Sequence, residues 1–182
     1  MKCDDYKKVL FFWFQEIDSN LWFAKDKEFD LEIKQRFLPL YLKARDGELF
    51  LWRKTIYGRL AEIILLDQFP RNMFRGHKEA FATDCQALIL SQEALNYSED
   101  VKQLSQDEIR FLLMPWMHSE SKQIHKVTIE LFQKYQLDKP LKYEKKHKEI
   151  IDRFNRYPHR NKILNRKSTE DEIKFLESFI EF

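Results

Sequence analysis

Only three glycines and five prolines interrupt 182 residues, and that scarcity restricts the fold more than any motif does. Strand-rich chains place Gly and Pro at short intervals to turn their hairpins. This chain has too few for many such turns, and no stretch alternates apolar and polar residues with period two. Apolar residues recur instead at the 3.6-residue spacing of helices. The predicted class is all-α, one domain over residues 1–182. It holds about eight helices, and their short connections favour antiparallel neighbours. A chain of this length buries about 70% of its unfolded surface and needs no covalent staple.

Periodicity and caps place the helices. The first runs near 4–17, with Tyr6, Val9, Leu10, Trp13 and Ile17 on one face. The second starts after Asp30 as N-cap and ends near Gly47, with a kink or break expected at Pro39. The third covers 48–68, with Ile56, Leu60, Ile63 and Ile64 as its stripe. The fourth covers 78–96, and Phe81, Cys85, Leu88 and Ala94 face inward, so Cys85 reads as a small core residue. The fifth opens at Ser105, whose capping box Glu108 completes, and stops near Pro115. The sixth follows Ser119 to about residue 136, the seventh covers 141–156, and the eighth begins at Ser168 or Thr169. The apolar positions of the eighth are Ile173, Leu176, Phe179 and Ile180.

Composition bounds the surroundings. Cys3 and Cys85 fit no metal spacing, and so few cysteines suit a reducing, cytoplasmic compartment. The apolar run at 9–14 follows Asp4 and Asp5, unlike the basic start and longer core of a signal peptide. No run is long enough to cross a bilayer. A net charge of +2 argues neither for nor against nucleic acid. Residues 139–167 are rich in Lys and Arg and the segment after them is acidic, so the tail is expected to fold back on the basic stretch. Aromatics among basic residues could stack on RNA bases, but Phe154 and Tyr157 read better as core and turn residues. Nucleic acid is disfavoured as a partner.

Two distant segments share unusual chemistry. One reads Asp67-Gln68-Phe69-Pro70-Arg71-Asn72-Met73-Phe74-Arg75-Gly76, the other Arg153-Phe154-Asn155-Arg156-Tyr157-Pro158-His159-Arg160-Asn161. Proline biases the residue before it away from helix, so each looks like a helix end that turns sharply. Asp67 continues the apolar stripe of Leu60, Ile63 and Ile64, and a buried carboxylate needs a partner; Arg71, Arg156 and Arg160 are the candidates. Arg71, Asn72, Arg75, Arg156, His159, Arg160 and Asn161 carry guanidinium and amide donors suited to a carboxylate or phosphate. The plainer reading is that they cap and clamp two turns.

Further polar groups lie elsewhere. His118, Ser119 and Glu120 sit at the expected start of the sixth helix, where Ser119 would cap and Glu120 would favour the positive end. With His147 or His159 they could form a metal shell, but the spacing is weak beside a His-Glu-x-x-His helix. His147 shares a face with Ile150, Ile151 and Phe154, the usual place of a hydrogen-bonded core histidine. Asp152 and Arg156, like Glu149 and Arg153, are spaced as helix ion pairs. No Gly-rich phosphate loop, dinucleotide fingerprint or nucleophile elbow is present, so no cofactor is implied.

The chain resembles the bacterial "domain of unknown function 924" family. The resemblance rests on Phe12-Trp13-Phe14, Trp52, Leu60-Ala61, the string from Leu65 to Asn72, and Phe74-Arg75-Gly76. It continues through Met114-Pro115, Met117-His118-Ser119-Glu120, His147, Arg153-Phe154, Arg156, Pro158-His159-Arg160-Asn161, Ser168-Thr169 and Glu172. It implies tetratricopeptide-like helix pairs in an α-α superhelix, and no established reaction, cofactor or partner. Asn155 and Asn165 stand where the family pattern has Gly, and Asn tolerates left-handed backbone better than most residues.

The functional expectation is a binding module. Residues 67–75, 118–120 and 153–161 converge on one face, where Asp67, Arg71, Asn72, Arg75, His118, Arg156, His159, Arg160 and Asn161 hold an anionic small molecule or an acidic peptide. One alternative is a hydrolase-like or metal-assisted enzyme with Glu120 or His159 as general base. Another is a scaffold without a small ligand. Oligomeric state has no signature in the sequence.

Overall fold

A computed structural model of the chain describes residues 5–179; Cys3, Asp4 and Ile180 lie outside them. Among the described residues every regular element is helical. The α-helices are α1 (Tyr6–Phe11), α2 (Lys27–Arg45), α3 (Ile56–Met73), α4 (Asp84–Ala94), α5 (Ser98–Val101), α6 (Gln106–Met117), α7 (Lys122–Lys134), α8 (Asp138–Phe154) and α9 (Glu170–Ser178). Tight 3-10 turns at Ser19–Phe23, Phe50–Lys54, Lys78–Phe81 and Pro158–Arg160 join several of them.

Helix α3 is the centre. Nearly all its side chains are buried, and α1, α2, α4 and α6 pack around it. Its buried positions fall on every side, apolar ones together with polar ones such as Glu62 and Asp67, which are paired internally. Around it the aromatic rings interlock: Trp13 lies edge-on to Phe69 and Phe111 at 5.4 Å between centroids, and Phe37 sits 4.9 Å from Phe69. Helices α6, α7 and α8 pack consecutively beyond it. Tyr157, Ile150 and Ile151 seed a smaller apolar cluster with Phe154 and Phe175.

Prolines do not stop the helices they sit in. Helix α2 runs unbroken through Pro39, which is exposed, as is Gln35, whose carbonyl loses its helical partner to the missing N–H. At an exposed position solvent can replace the lost partner. Pro70 lies buried inside α3 and orphans the carbonyl of Leu66; the Thr83 hydroxyl donates to it at 2.6 Å. In α6, which continues through Pro115 to Met117, the Ser91 hydroxyl donates to Leu112 O at 2.5 Å and accepts from Trp116 Nε1 at 2.8 Å. At the end of α1 the backbone widens to a π turn over Phe12–Glu16, with Ile17 N bonded to Phe12 O. Trp22 Nε1 then occupies Trp13 O at 2.8 Å.

Other boundaries shift for equally local reasons. Asp26, not Asp30, caps α2, accepting from the N–H groups of Glu28 and Phe29 at 2.9 Å each. The span 48–68 divides because Thr55 caps α3 after the turn at Phe50–Lys54. That turn crosses α3 at Gly58, where a Cβ would fall 2.0 Å from Trp52 O. Residues 78–96 divide at Ala82 and Thr83, and Cys85 is exposed because Ala87, Ser91 and Ala94 form the inner face of α4. Ser121, not Ser119, caps α7. The capping boxes of Ser105 with Glu108 and Thr169 with Glu172 are both formed.

Thr83→Val should leave Leu66 O buried without a donor. It is expected to cost about 1–3 kcal/mol, read as a lower urea midpoint with an unchanged slope. Gly58→Ala should cost a similar amount, about 1–3 kcal/mol, by driving the Trp52 carbonyl off α3.

Candidate functional site

The continued helix puts Arg71 and Asn72 on the last turn of α3. The second Arg-Asn string leaves α8 at Asn155, whose φ of 59° is left-handed, and tightens into the turn Pro158–Arg160. Asn165 is left-handed too, at φ 53°. Both strings end on one cavity of about 440 Å³. Arg71, Asn72, Arg75, His118, His159 and Arg160 line it. Gln68, His147, Tyr157, Trp22, Phe23 and Phe81 also contribute to the wall.

Asp67 lies beneath that wall, fully buried. Its Oδ1 is 2.7 Å from His118 Nδ1, and Arg71 Nη1 stands 3.4 Å away. Gln68 Nε2 also donates to it. Burial opposes ionisation, but His118, Arg71 and these hydrogen bonds outweigh it and hold the carboxyl at about 2. Burial, reinforced by Arg71, lowers His118 below its ordinary value although Asp67 pulls the other way. The consistent state is an Asp67 carboxylate accepting from Nδ1–H of a neutral ring. His147, whose Nδ1 lies 2.8 Å from Tyr143 O, is pushed down to about 4, chiefly by burial.

The arginines are anchored by carboxylates that the sequence reading did not single out. Arg71 grips Asp84 with two hydrogen bonds of 2.9 and 3.0 Å, and Asp67 O with a third of 2.5 Å. Arg75 makes a two-pronged pair with Asp30 at 2.6 and 2.7 Å, and Asn72 Nδ2 donates to the same Asp30 at 2.8 Å. Arg160 differs. It is 7% exposed, and its guanidinium makes one hydrogen bond among the described residues, Nη1 to Asp84 Oδ2 at 3.2 Å. Its Nε is buried without a hydrogen-bond partner. The group is held between the rings of Phe81 and Tyr157, each centroid 4.6 Å away. Burial lowers its pKa.

Three candidates are directed elsewhere. Arg156 does not pair with Asp152, because α8 ends before it; it grips Glu172 of α9 at 2.6 and 2.7 Å. That contact brings the acidic tail onto the basic stretch. Asn161 bonds Ser168 Oγ and Arg166 Nε. Glu120 accepts two hydrogen bonds from Arg166, at 2.6 and 2.9 Å, and one from Tyr157 N at 2.7 Å. Burial raises the Glu120 pKa, but Arg166 and Tyr157 N–H outweigh it and lower it below its usual range. A carboxylate so engaged is a poor base, and its role is to bolt the Tyr157–Arg160 turn to the α6–α7 connection. Among the described residues no group of three or more His, Cys, Asp or Glu is placed to hold a metal ion.

The sequence reading missed Arg166, Asp84 and Gln68. Gln68 and Tyr157 lay within the quoted strings, but Asp84 looks like any acid in a helix first turn.

The fold and cavity together define an all-helical protein with an arginine- and imidazole-lined hollow. Residues 9–179 match the family described as bacterial protein of unknown function (DUF924), and the chain belongs to that family. It is similar to the solved structure of the protein of unknown function ATU0120 from Agrobacterium tumefaciens. The two are 34% identical over 96% of this chain and 97% of that one, with a TM-score of 0.87. No curated protein matches the chain. No helix among the described residues is long and apolar enough to cross a membrane.

Asp67 falls from 3.8 to about 2 on folding, and Glu172, held chiefly by its hydrogen bond from Arg156, from 4.5 to about 2. Each is ionised more readily in the folded chain, so each contributes stability that is complete above its unfolded value. That stability is lost as pH falls from about 4.5 to about 2. The urea midpoint should therefore decline across this window. Asp67→Asn should be less stable at pH 7 by about 3–5 kcal/mol and decline less steeply in acid.

Proposed function

We propose that the cavity binds an anionic small molecule, through Arg160 first and Arg71 second. The observation that carries this reading is the state of Arg160. A buried guanidinium is costly unless its donors meet acceptors. Its nearest carboxylate, Asp84, is already gripped by both prongs of Arg71. A carboxylate or phosphate entering the cavity would supply the missing acceptors in the planar, two-pronged geometry that guanidinium favours. The aromatic rings that clasp Arg160 hold its plane ready before the ligand arrives, which lowers the ordering cost of binding. The cavity volume, about 440 Å³, falls in the range of small-molecule sites. That size favours a metabolite-sized ligand over a peptide segment.

Binding should raise the melting temperature. A ligand at one hundred times its Kd adds about 2.7 kcal/mol. Thermal unfolding of the wild-type chain in increasing phosphate, and separately in glutarate, should show a saturable rise that sodium chloride does not reproduce. Arg160→Gln should abolish the rise while retaining the helical circular dichroism of the wild type. Equal shifts in wild type and Arg160→Gln would overturn the reading.

A further inference from the structure

We propose that His118, oriented by Asp67, is the general base of a hydrolytic site whose substrate is an ester with a free carboxylate on its acyl part. This rests on the anion-binding reading above and assigns the chemistry of the same cavity.

The argument begins with the pair itself. Asp67 is fixed on α3 by Gln68 and Arg71, and its Oδ1 faces His118 Nδ1 at 2.7 Å. An ionised carboxylate at that distance keeps the proton on Nδ1 and leaves the lone pair on Nε2. No hydrogen bond engages Nε2 among the described residues, and the ring lines the cavity. A buried acid, an imidazole held by it and an uncommitted ring nitrogen at a cavity wall together make an activated base.

The wall then narrows the reaction. No Ser, Thr or Cys lines the cavity among the described residues. The Tyr157 hydroxyl is committed to Met117 O at 2.6 Å and lies 3.2 Å from His125 Nε2. A covalent relay through a side-chain hydroxyl or thiol is therefore not built here, and the base acts on water. Phosphoryl transfer gains little from a base, because its transition state is stabilised mainly by neutralising charge. Acyl esters gain more, since water must lose a proton as it attacks and the departing alkoxide must receive one.

The step balances. His118 Nε2 takes a proton from water while the water oxygen bonds to the acyl carbon and the carbonyl pair moves onto oxygen. The tetrahedral species collapses, the bond from acyl carbon to alkoxy oxygen breaks, and Nε2–H returns the proton to the leaving oxygen. Arg160 holds the distal carboxylate throughout. Asp67 is a positioning residue. Protonation of His118 is opposed by Arg71 and by burial and favoured by Asp67 and Asp84, with His147 facing it from α8.

The test uses the full chain with the 4-nitrophenyl monoester of glutarate and, as an uncharged control of similar size, 4-nitrophenyl butyrate. Wild type should hydrolyse the charged ester with kcat/KM about tenfold above the neutral one, as expected for one added charged contact. Its kcat should rise with pH to a plateau as the ring deprotonates. His118→Gln, whose amide can still donate to Asp67, should lower kcat by about 10²–10⁴, leave KM nearly unchanged and flatten the pH profile. Asp67→Asn should lower kcat and move the profile, and Arg160→Gln should act mainly on KM for the charged ester. Wild-type rates equal to buffer, or an unchanged kcat in His118→Gln, would overturn the proposal, and the wild-type result does not depend on any variant folding. Saturable stabilisation by phosphate without hydrolysis would sink the catalytic assignment alone; loss of that stabilisation would sink the binding reading with it.

Discussion

A carboxylate stands in the middle of the most enclosed helix of this protein, and the arrangement around it follows from keeping it ionised there. Asp67 is fully buried, so its oxygens are met by His118, Gln68 and Arg71. Those contacts pin the end of α6 to α3. Arg71, drawn to Asp67 from one side, reaches Asp84 on the other, and Asp84 in turn meets Arg160. A chain of alternating charges thus leads from the core to the cavity wall. It ends on a guanidinium with donors still unmet, and the proposed ligand would complete the series.

Helix-breaking residues are used as connectors in the same region. Pro70 deprives Leu66 of its helical hydrogen bond, and Thr83 replaces it. That bond ties the start of α4 to α3 and sets Asp84, the next residue, beside Arg71. The clamp between Glu120 and Arg166 does the corresponding work for the second Arg-Asn string, carrying Tyr157 and Arg160 to the cavity. Each device answers the rule that a buried polar group must find a partner.

Much of the local structure was legible in the residues. Ser105 with Glu108 announces its helix start, because a capping box is written in positions three apart; at the last helix Ser168 and Thr169 each have an acid three residues on, and the structure selects Thr169 with Glu172. The stripe of Leu60, Ile63 and Ile64 marked α3, and Asp67 on that stripe was read as needing a charged partner. Cys85 was misread because its spacing to Phe81 and Leu88 assumed a continuous helix, whereas the chain breaks at Thr83. Pro70 looks like a stop because local preference ignores the Thr83 hydroxyl that arrives from the start of α4, and α6 likewise continues past Pro115. Asp30 has the side chain of a cap but lies one turn inside α2, which Asp26 caps.

Sequence alone determined the helical class, since a chain with three glycines and unbroken 3.6-residue periodicity has little else to form. It also marked the residue types that carry chemistry. Tertiary structure alone decided which of them meet. Asp30, Asp84 and Glu172 look alike in sequence, each an acid in the first turn of a helix, where the helix dipole accounts for it. Packing assigned them to Arg75, to Arg71 with Arg160, and to Arg156 respectively. An ion pair between residues far apart in the chain depends on where whole helices come to rest, and no local spacing encodes that.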